Sequence, residues 1–291
     1  MRIYLECVPC FVSQALRAVQ FTTDDKTVHE KVMREVLRTA GEMDLSSTPP
    51  AMGQIIHQVI RQYTGNEDPY REVKKYSNQL GLKMYPELKE KIEQSDDPFE
   101  LAVRIAIAGN IIDFAKINEL DDEKIYRVIE DSFTAPLPEG SVSEFRAAIA
   151  DANDILFLGD NAGEIVFDRL LLEQMPQEKI TFAVRGRPVI NDATRKDAEE
   201  AGITELVKVI DNGSDVPGTI LESCSEDFRR YFEEADLIVA KGQGNFETLG
   251  NVEKNIFFLL KVKCPVVTRD VGWEVGSLVL KRSENVTLWN K

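Results

Sequence analysis

Residues 155–164 read ILFLGDNAGE. Four bulky apolar residues end on Gly159, two oxygen-bearing side chains come next, and Val166/Leu170 and Phe167/Leu171 then recur at helical spacing. An apolar run too short for a helix, closed by glycine and followed at once by a helix, predicts a strand buried on both faces. Similar runs stand at Ile180–Val184, Leu206–Ile210 and Leu237–Ala240, with two more around Phe257–Val262 and Pro265–Thr268. Helical patterns separate most of them, and that alternation predicts an α/β fold whose mostly parallel sheet is covered by helices on both faces.

Upstream the rhythm is helical throughout. Segments 11–20, 26–42, 51–63, 69–81, 98–116 and 122–133 carry apolar residues three and four apart, separated by Thr22–Asp25, Pro49-Pro50, Gly65-Asn66, Asp96–Pro98 and Asp121-Asp122. APLPEG (135–140) reads as a linker, and a helix near 143–151 leads into the first strand. Two domains are therefore expected, a helical one over 1–140 and an α/β one over 141–291.

The 291 residues carry a formal net charge of −15, with 43% hydrophobic and 29% charged residues. That field repels nucleic acid and anionic membranes, so neither is an expected partner. No apolar stretch spans a bilayer, MRIYLECVPC lacks the layout of a signal peptide, and a cytoplasmic location is the expectation. The chain has two histidines, His29 and His57, both in the first half, so chemistry in the second half falls to carboxylates, amides and lysines. His57 is expected on a helix surface.

The segments behind the first four runs carry the chemistry: GDNAGE, RGRPVIND, DNGSDVPGT and KGQGNFETL. In an open parallel sheet these segments share the carboxyl edge, where ligands bind. Asp160, Asn161, Asp192, Lys241 and Asn245 could converge there. Two carboxylates and an amide suit Mg²⁺ or Mn²⁺. A helix starting near Ala162 offers free N–H groups to a phosphate, and Lys241, flanked by Gly242 and Gly244, offers a cation. Each piece also has a plainer reading. Asp160-Asn161 and Asn191-Asp192 could be helix caps, GQGN a turn, and Lys241 a solvated surface residue.

GDNAGE (159–164), RGRPVINDAT (185–194) and KGQGNFETL (241–249), in that order, resemble the metal-dependent damage-control phosphatases, a family formerly grouped as a domain of unknown function. ECVPCF (6–11), DPYREVKKYSN (68–78) and AGNIIDF (108–114) resemble its prokaryotic branch, with a Cys-x-x-Cys pair near the start. The resemblance covers nearly the whole chain. It implies a helical N-terminal domain on a Rossmann-like α/β/α sandwich, with the active site between them.

Carried over by motif, it implies Asp160, Asn161 and Asp192 as ligands of Mn²⁺, Co²⁺, Ni²⁺ or Mg²⁺. Asp160, Asp192 and Lys241 would be catalytic, with Lys241 on the substrate phosphate. Glu164, Arg185, Gly242, Asn245 and Glu247 complete the implied substrate-binding set, and Asn110 and Asp113 reach the cleft from the helical side. Gln243 stands where the eukaryotic branch has an acidic residue, so substrate knowledge from that branch transfers poorly.

The implied activity is hydrolysis of small phosphorylated metabolites, with water or the Asp160 carboxylate as the attacking group. Sequence specifies neither the substrate within that class nor the oligomeric state. A Rossmann-type S-adenosylmethionine-dependent methyltransferase or nucleotide-binding protein is the alternative. It predicts G-x-G-x-x-G after the first strand and an acid closing the second, where this chain has GDNAGE and Arg185. A third reading centres on Cys7 and Cys10 as a metal- or redox-sensing pair. Two such cysteines are half a tetrahedral site and lack a second pair, so reduced core cysteines are expected.

Overall fold

The computed structural model describes residues 1–111 and 122–284. Seven helices precede the first strand among the described residues: α1 (Cys7–Thr22), α2 (Lys26–Glu42), α3 (Pro49–Thr64), α4 (Arg71–Glu93), α5 (Pro98–Ala108), α6 (Asp122–Ser132) and α7 (Ser141–Asp151). The fourth was expected to end at residue 81, yet α4 runs on to Glu93, through Pro86, burying Met84, Leu88 and Ile92. Gly81 does not stop the helix. A Cβ there would stand 3.0 Å from the Gly163 carbonyl and from Val166, so glycine lets α4 lie tightly on the turn after the first strand.

The sheet is built from β1 (Ile155–Leu158), β2 (Ile180–Val184), β3 (Lys208–Asp211), β4 (Leu237–Lys241), β5 (Ile256–Lys261) and β6 (Leu278–Arg282). Its order is β3-β2-β1-β4-β5-β6, with the first five strands parallel and β6 antiparallel to β5. The connecting helices are α8 (Glu164–Leu172), α9 (Arg195–Glu200), α10 (Glu226–Glu234), α11 (Gly242–Leu249) and α12 (Pro265–Val271). The run at Pro265–Thr268, expected among the strands, is the start of α12. Pro265 occupies the first turn, where its missing N–H costs nothing, and Gly272 closes the helix in the left-handed region.

Alternate residues of each strand serve opposite cores. Ile155, Phe157, Phe182, Val239 and Phe257 pack under α4–α8. Leu156, Leu158, Ile238, Ala240 and Phe258 pack against α10–α12. The first core draws on residues from both sides of position 140, because α4 to α7 form one layer of the sandwich. Helices α1–α3 gather a third core around Phe11, Val19, Val32, Ile56 and Ile60, joined to α12 by Val266. No helix among the described residues is long and apolar enough to cross a membrane.

His57 is not on the surface. It is 2% exposed, packs on Tyr70 at 5.7 Å between centroids, and its Nε2 has no hydrogen-bond partner. Burial, with the nearby Arg61 charge, pushes its pKa down to about 3. The folded ring is therefore neutral while the unfolded ring binds a proton below about pH 6.5. Stability from this group is complete above that pH and is lost as pH falls toward 3. Urea unfolding at pH 5 and pH 7.5 should show a contribution on the order of 2 kcal/mol that disappears in His57→Phe.

Candidate active site

Strand order reverses between β1 and β4, which opens a crevice at their carboxyl ends. Asp160 and Asn161 leave β1 into that crevice. Their position is fixed by backbone: Asn161 and Asp192 form an isolated antiparallel bridge, flanked by Ala193 N–H to Asp160 O at 2.8 Å and Ala162 N–H to Asn191 O at 2.9 Å. The loop after β2 is thereby laid alongside the loop after β1. Asn191-Asp192 does not cap α9, since Thr194 and Asp197 form a reciprocal capping box one turn later, leaving the Asp192 carboxylate for the site.

Asp160 is held from three sides. Its Oδ2 accepts from Asn110 Nδ2 at 3.0 Å and Asn161 Nδ2 at 2.8 Å. Arg185 Nη2 lies 3.7 Å from its Oδ1, and Arg185 Nε donates to Asp192 Oδ2 at 2.7 Å. Gly242 closes the third side at φ +79°, where a Cβ would fall 1.9 Å from Asp160 Oδ2. Both the backbone angle and the space exclude a side chain. Burial, then Glu164 and Asp192, push the Asp160 carboxyl well above the usual range. Asp192 is likewise raised, by burial against the pull of Arg185.

Beneath this pair lies a second layer of charge. Lys241 is fully buried, and its Nζ donates to Glu164 Oε1 at 2.6 Å, Asp168 Oδ1 at 2.5 Å and Ala106 O at 2.8 Å. It does not line the cavity, so the expectation that Lys241 faces a substrate phosphate does not match its placement. Burial opposes the lysine charge, but Asp168 and Glu164 hold its pKa above the usual range. Burial in turn pushes Asp168 up to about 7 despite Lys241.

Glu164, expected to meet substrate, instead links this layer to the one above, its Oε2 accepting from Asn110 at 2.8 Å and Asn161 at 2.9 Å. Asn245 is also internal, donating to Lys241 O at 2.8 Å and accepting from Thr219 Oγ1 at 2.8 Å. Asp113 lies outside the described residues.

Asp160, Asn161 and Asp192 face a cavity of about 450 Å³, and Glu247 also lines it. Burial pushes the Glu247 carboxyl up to about 7, against a 2.7 Å hydrogen bond from Gln243. Sequence reasoning passed over Lys263, Cys264 and Arg269, which line the same cavity. The positive charge of Lys263 acts on both Asp160 and Glu247. The signal was present in KVKCPVV (261–267), because β5 is parallel to β4 and its end opens onto the same edge. An all-oxygen donor set of two carboxylates and an amide, crowded enough to raise both carboxyls, can hold a hard divalent cation. Among the described residues, the buried Asn110 Oδ1 beside it has no hydrogen-bond partner.

Comparisons with known proteins bear on the family and the fold. The chain is 35% identical to the damage-control phosphatase of Pyrococcus horikoshii, covering 98% of this chain and 99% of that one. It is 36% identical to a damage-control phosphatase of Archaeoglobus fulgidus, covering 97% and 99%. The crystal structure of a DUF89 family protein from Pyrococcus horikoshii superposes with a TM-score of 0.89 at 34% identity, over 98% of this chain and all of that one. The model of the damage-control phosphatase ARMT1-like domain matches residues 3–279, and the chain belongs to that family.

Proposed function

We propose that the chain is a phosphatase that hydrolyses small phosphorylated metabolites with a divalent cation, Mn²⁺, Co²⁺, Ni²⁺ or Mg²⁺, held by Asp160, Asn161 and Asp192. The observation that carries this reading is the Asn161–Asp192 bridge, which brings hard oxygen donors of two loops together on one wall of a substrate-sized cavity. When bound, such an ion neutralises charge on phosphoryl oxygens and polarises the phosphorus.

The chain's own residues do the rest. Arg185 holds Asp192, while Asn110 and Asn161 fix one oxygen of Asp160 and leave the other on the Arg185 side. Lys263 and Arg269, the latter paired with Glu6 at 2.7 Å, line the same cavity and bring positive charge that draws an anionic substrate into an otherwise acidic protein. Pro49, Pro217, Ile190 and Val266 give that cavity apolar surface for the organic part of the substrate. Water or Asp160 attacks the phosphorus in line with the leaving alcohol oxygen. An adenosyl-cofactor site finds less support, because the position that should close on a ribose is Arg185, spent on Asp192.

Asp160→Asn should lower hydrolysis of an aryl phosphate by about 10²-fold or more without loss of fold. Chelator-treated protein should be inactive until one of the four cations is restored. Full turnover in either preparation sinks the reading. A second pair of variants separates the two lysines. Lys241→Met strands two buried carboxylates and should cost about 3–5 kcal/mol in urea unfolding. Lys263→Met should leave stability within about 0.5 kcal/mol, as surface changes do, and reduce kcat/KM by roughly 10–100-fold. A Lys241→Met protein of wild-type stability that fails to turn over would return the phosphate-binding role to Lys241.

A further inference from the structure

Three of the chain's four cysteines meet around the cavity that Asp160 and Asp192 face, although they come from opposite ends of the sequence. Cys7 and Cys10 sit on the first turn of α1, three residues apart and hence on one helix face. Cys264 is the N-cap of α12. Cys7 is buried, Cys264 half-buried and Cys10 exposed, and none is in a disulfide. The fourth, Cys224, packs elsewhere and donates to Ile220 O at 3.3 Å. Glu247 shares the cavity wall with the three, and the amide nitrogen of Gln243 bridges it at 2.7 Å to Cys264 Sγ at 4.0 Å.

We propose that Cys7, Cys10 and Cys264 form a binding site for a thiophilic divalent cation of the zinc class on the lining of this cavity, distinct in donor type from Asp160, Asn161 and Asp192. A Cys-x-x-Cys pair is the standard two-sulfur bite of tetrahedral zinc, and the fold supplies the third sulfur that sequence spacing alone does not reveal. Three thiolates leave a fourth position open, with the Glu247 carboxylate on the same wall.

Charge fits as well. Three thiolates around a divalent ion carry one net negative charge, and Lys263 and Arg269 line the same cavity. Soft sulfur selects against the hard cations suited to Asp160, Asn161 and Asp192, so the two sites divide the available metals by donor type. Among the described residues no three His, Cys, Asp or Glu side chains are already drawn together as a metal cluster. Binding therefore draws the sulfurs inward, and one change of χ1 rotamer carries a thiol by roughly 3 Å.

Cobalt provides the test, because bonds from thiolate to Co²⁺ absorb in the near ultraviolet whereas bonds from carboxylate do not. Titration of reduced, metal-stripped, full-length protein with Co²⁺, which the oxygen donors can also take, should give a charge-transfer band that saturates by about two equivalents, one for each site. Asp160→Asn and Cys224→Ala should leave the band unchanged. Cys10→Ser, at an exposed position that folding does not need, should lower it by about a third, one thiolate of three. Cys7→Ser and Cys264→Ser, checked for folding by circular dichroism, should lose most of it.

A reduced wild-type protein without the band overturns the proposal, and so does a band insensitive to Cys10→Ser. A Cys7–Cys10 disulfide in protein isolated under reducing, anaerobic conditions overturns it as well. Because the readout is absorption, the result stands apart from whether the protein hydrolyses phosphate esters.

Discussion

Negative charge buried at one edge of a sheet is the constraint that the rest of this structure answers. Asp160, Glu164, Asp168 and Asp192 are all withdrawn from solvent in the segments that follow β1 and β2. Isolated burial of even one ionised carboxylate is costly enough to shift its protonation instead. Lys241 meets two of these groups from below and Arg185 meets the other two from the side. The amides of Asn110 and Asn161 bridge Asp160 to Glu164, so the layers behave as one electrostatic unit. Each layer sets two carboxylates against one cation, and the deeper one is sealed inside the protein. The upper layer differs in that its two carboxylates line a cavity.

Much of this was legible in the chain. ILFL and ITFAV read as strands because residues buried on both faces leave no polar alternation, and both strands have the expected limits. The convergence of GDNAGE with RGRPVIND followed from strand polarity alone. What stayed hidden was the direction of individual side chains. Lys241 ends a strand whose alternation turns it inward beneath the crevice, and a lysine beside glycines looks the same in sequence whether it points up or down. Pro265–Thr268 looked like a strand because four-residue apolar runs carry no period, and the proline that starts α12 was the better signal. His57 was misplaced for a related reason: α1–α3 build their own core, which covers a helix face that local polarity assigned to solvent.

The family resemblance pointed to residues of loops that the fold brings to one sheet edge, and the geometry distributes their contacts unevenly. Arg185, Asn110 and Glu164 act on Asp160, Asn161 and Asp192 through short contacts, holding them rather than reaching outward. Lys263 does the reverse, since it belongs to no motif of the first four strands yet looks onto the cavity. An acidic chain that handles anions needs such a cation, and composition alone shows the need without locating it.

Main-chain pairing, and not side-chain packing, sets the separation of Asn161 from Asp192. The two positions therefore work as sockets whose spacing outlasts whatever is plugged into them. Donor chemistry at either place can be exchanged during divergence, carboxylate for amide or for something softer, without the rim of the sheet collapsing. A lineage on this scaffold is free to retune the chemistry of that pair while keeping its place on the rim.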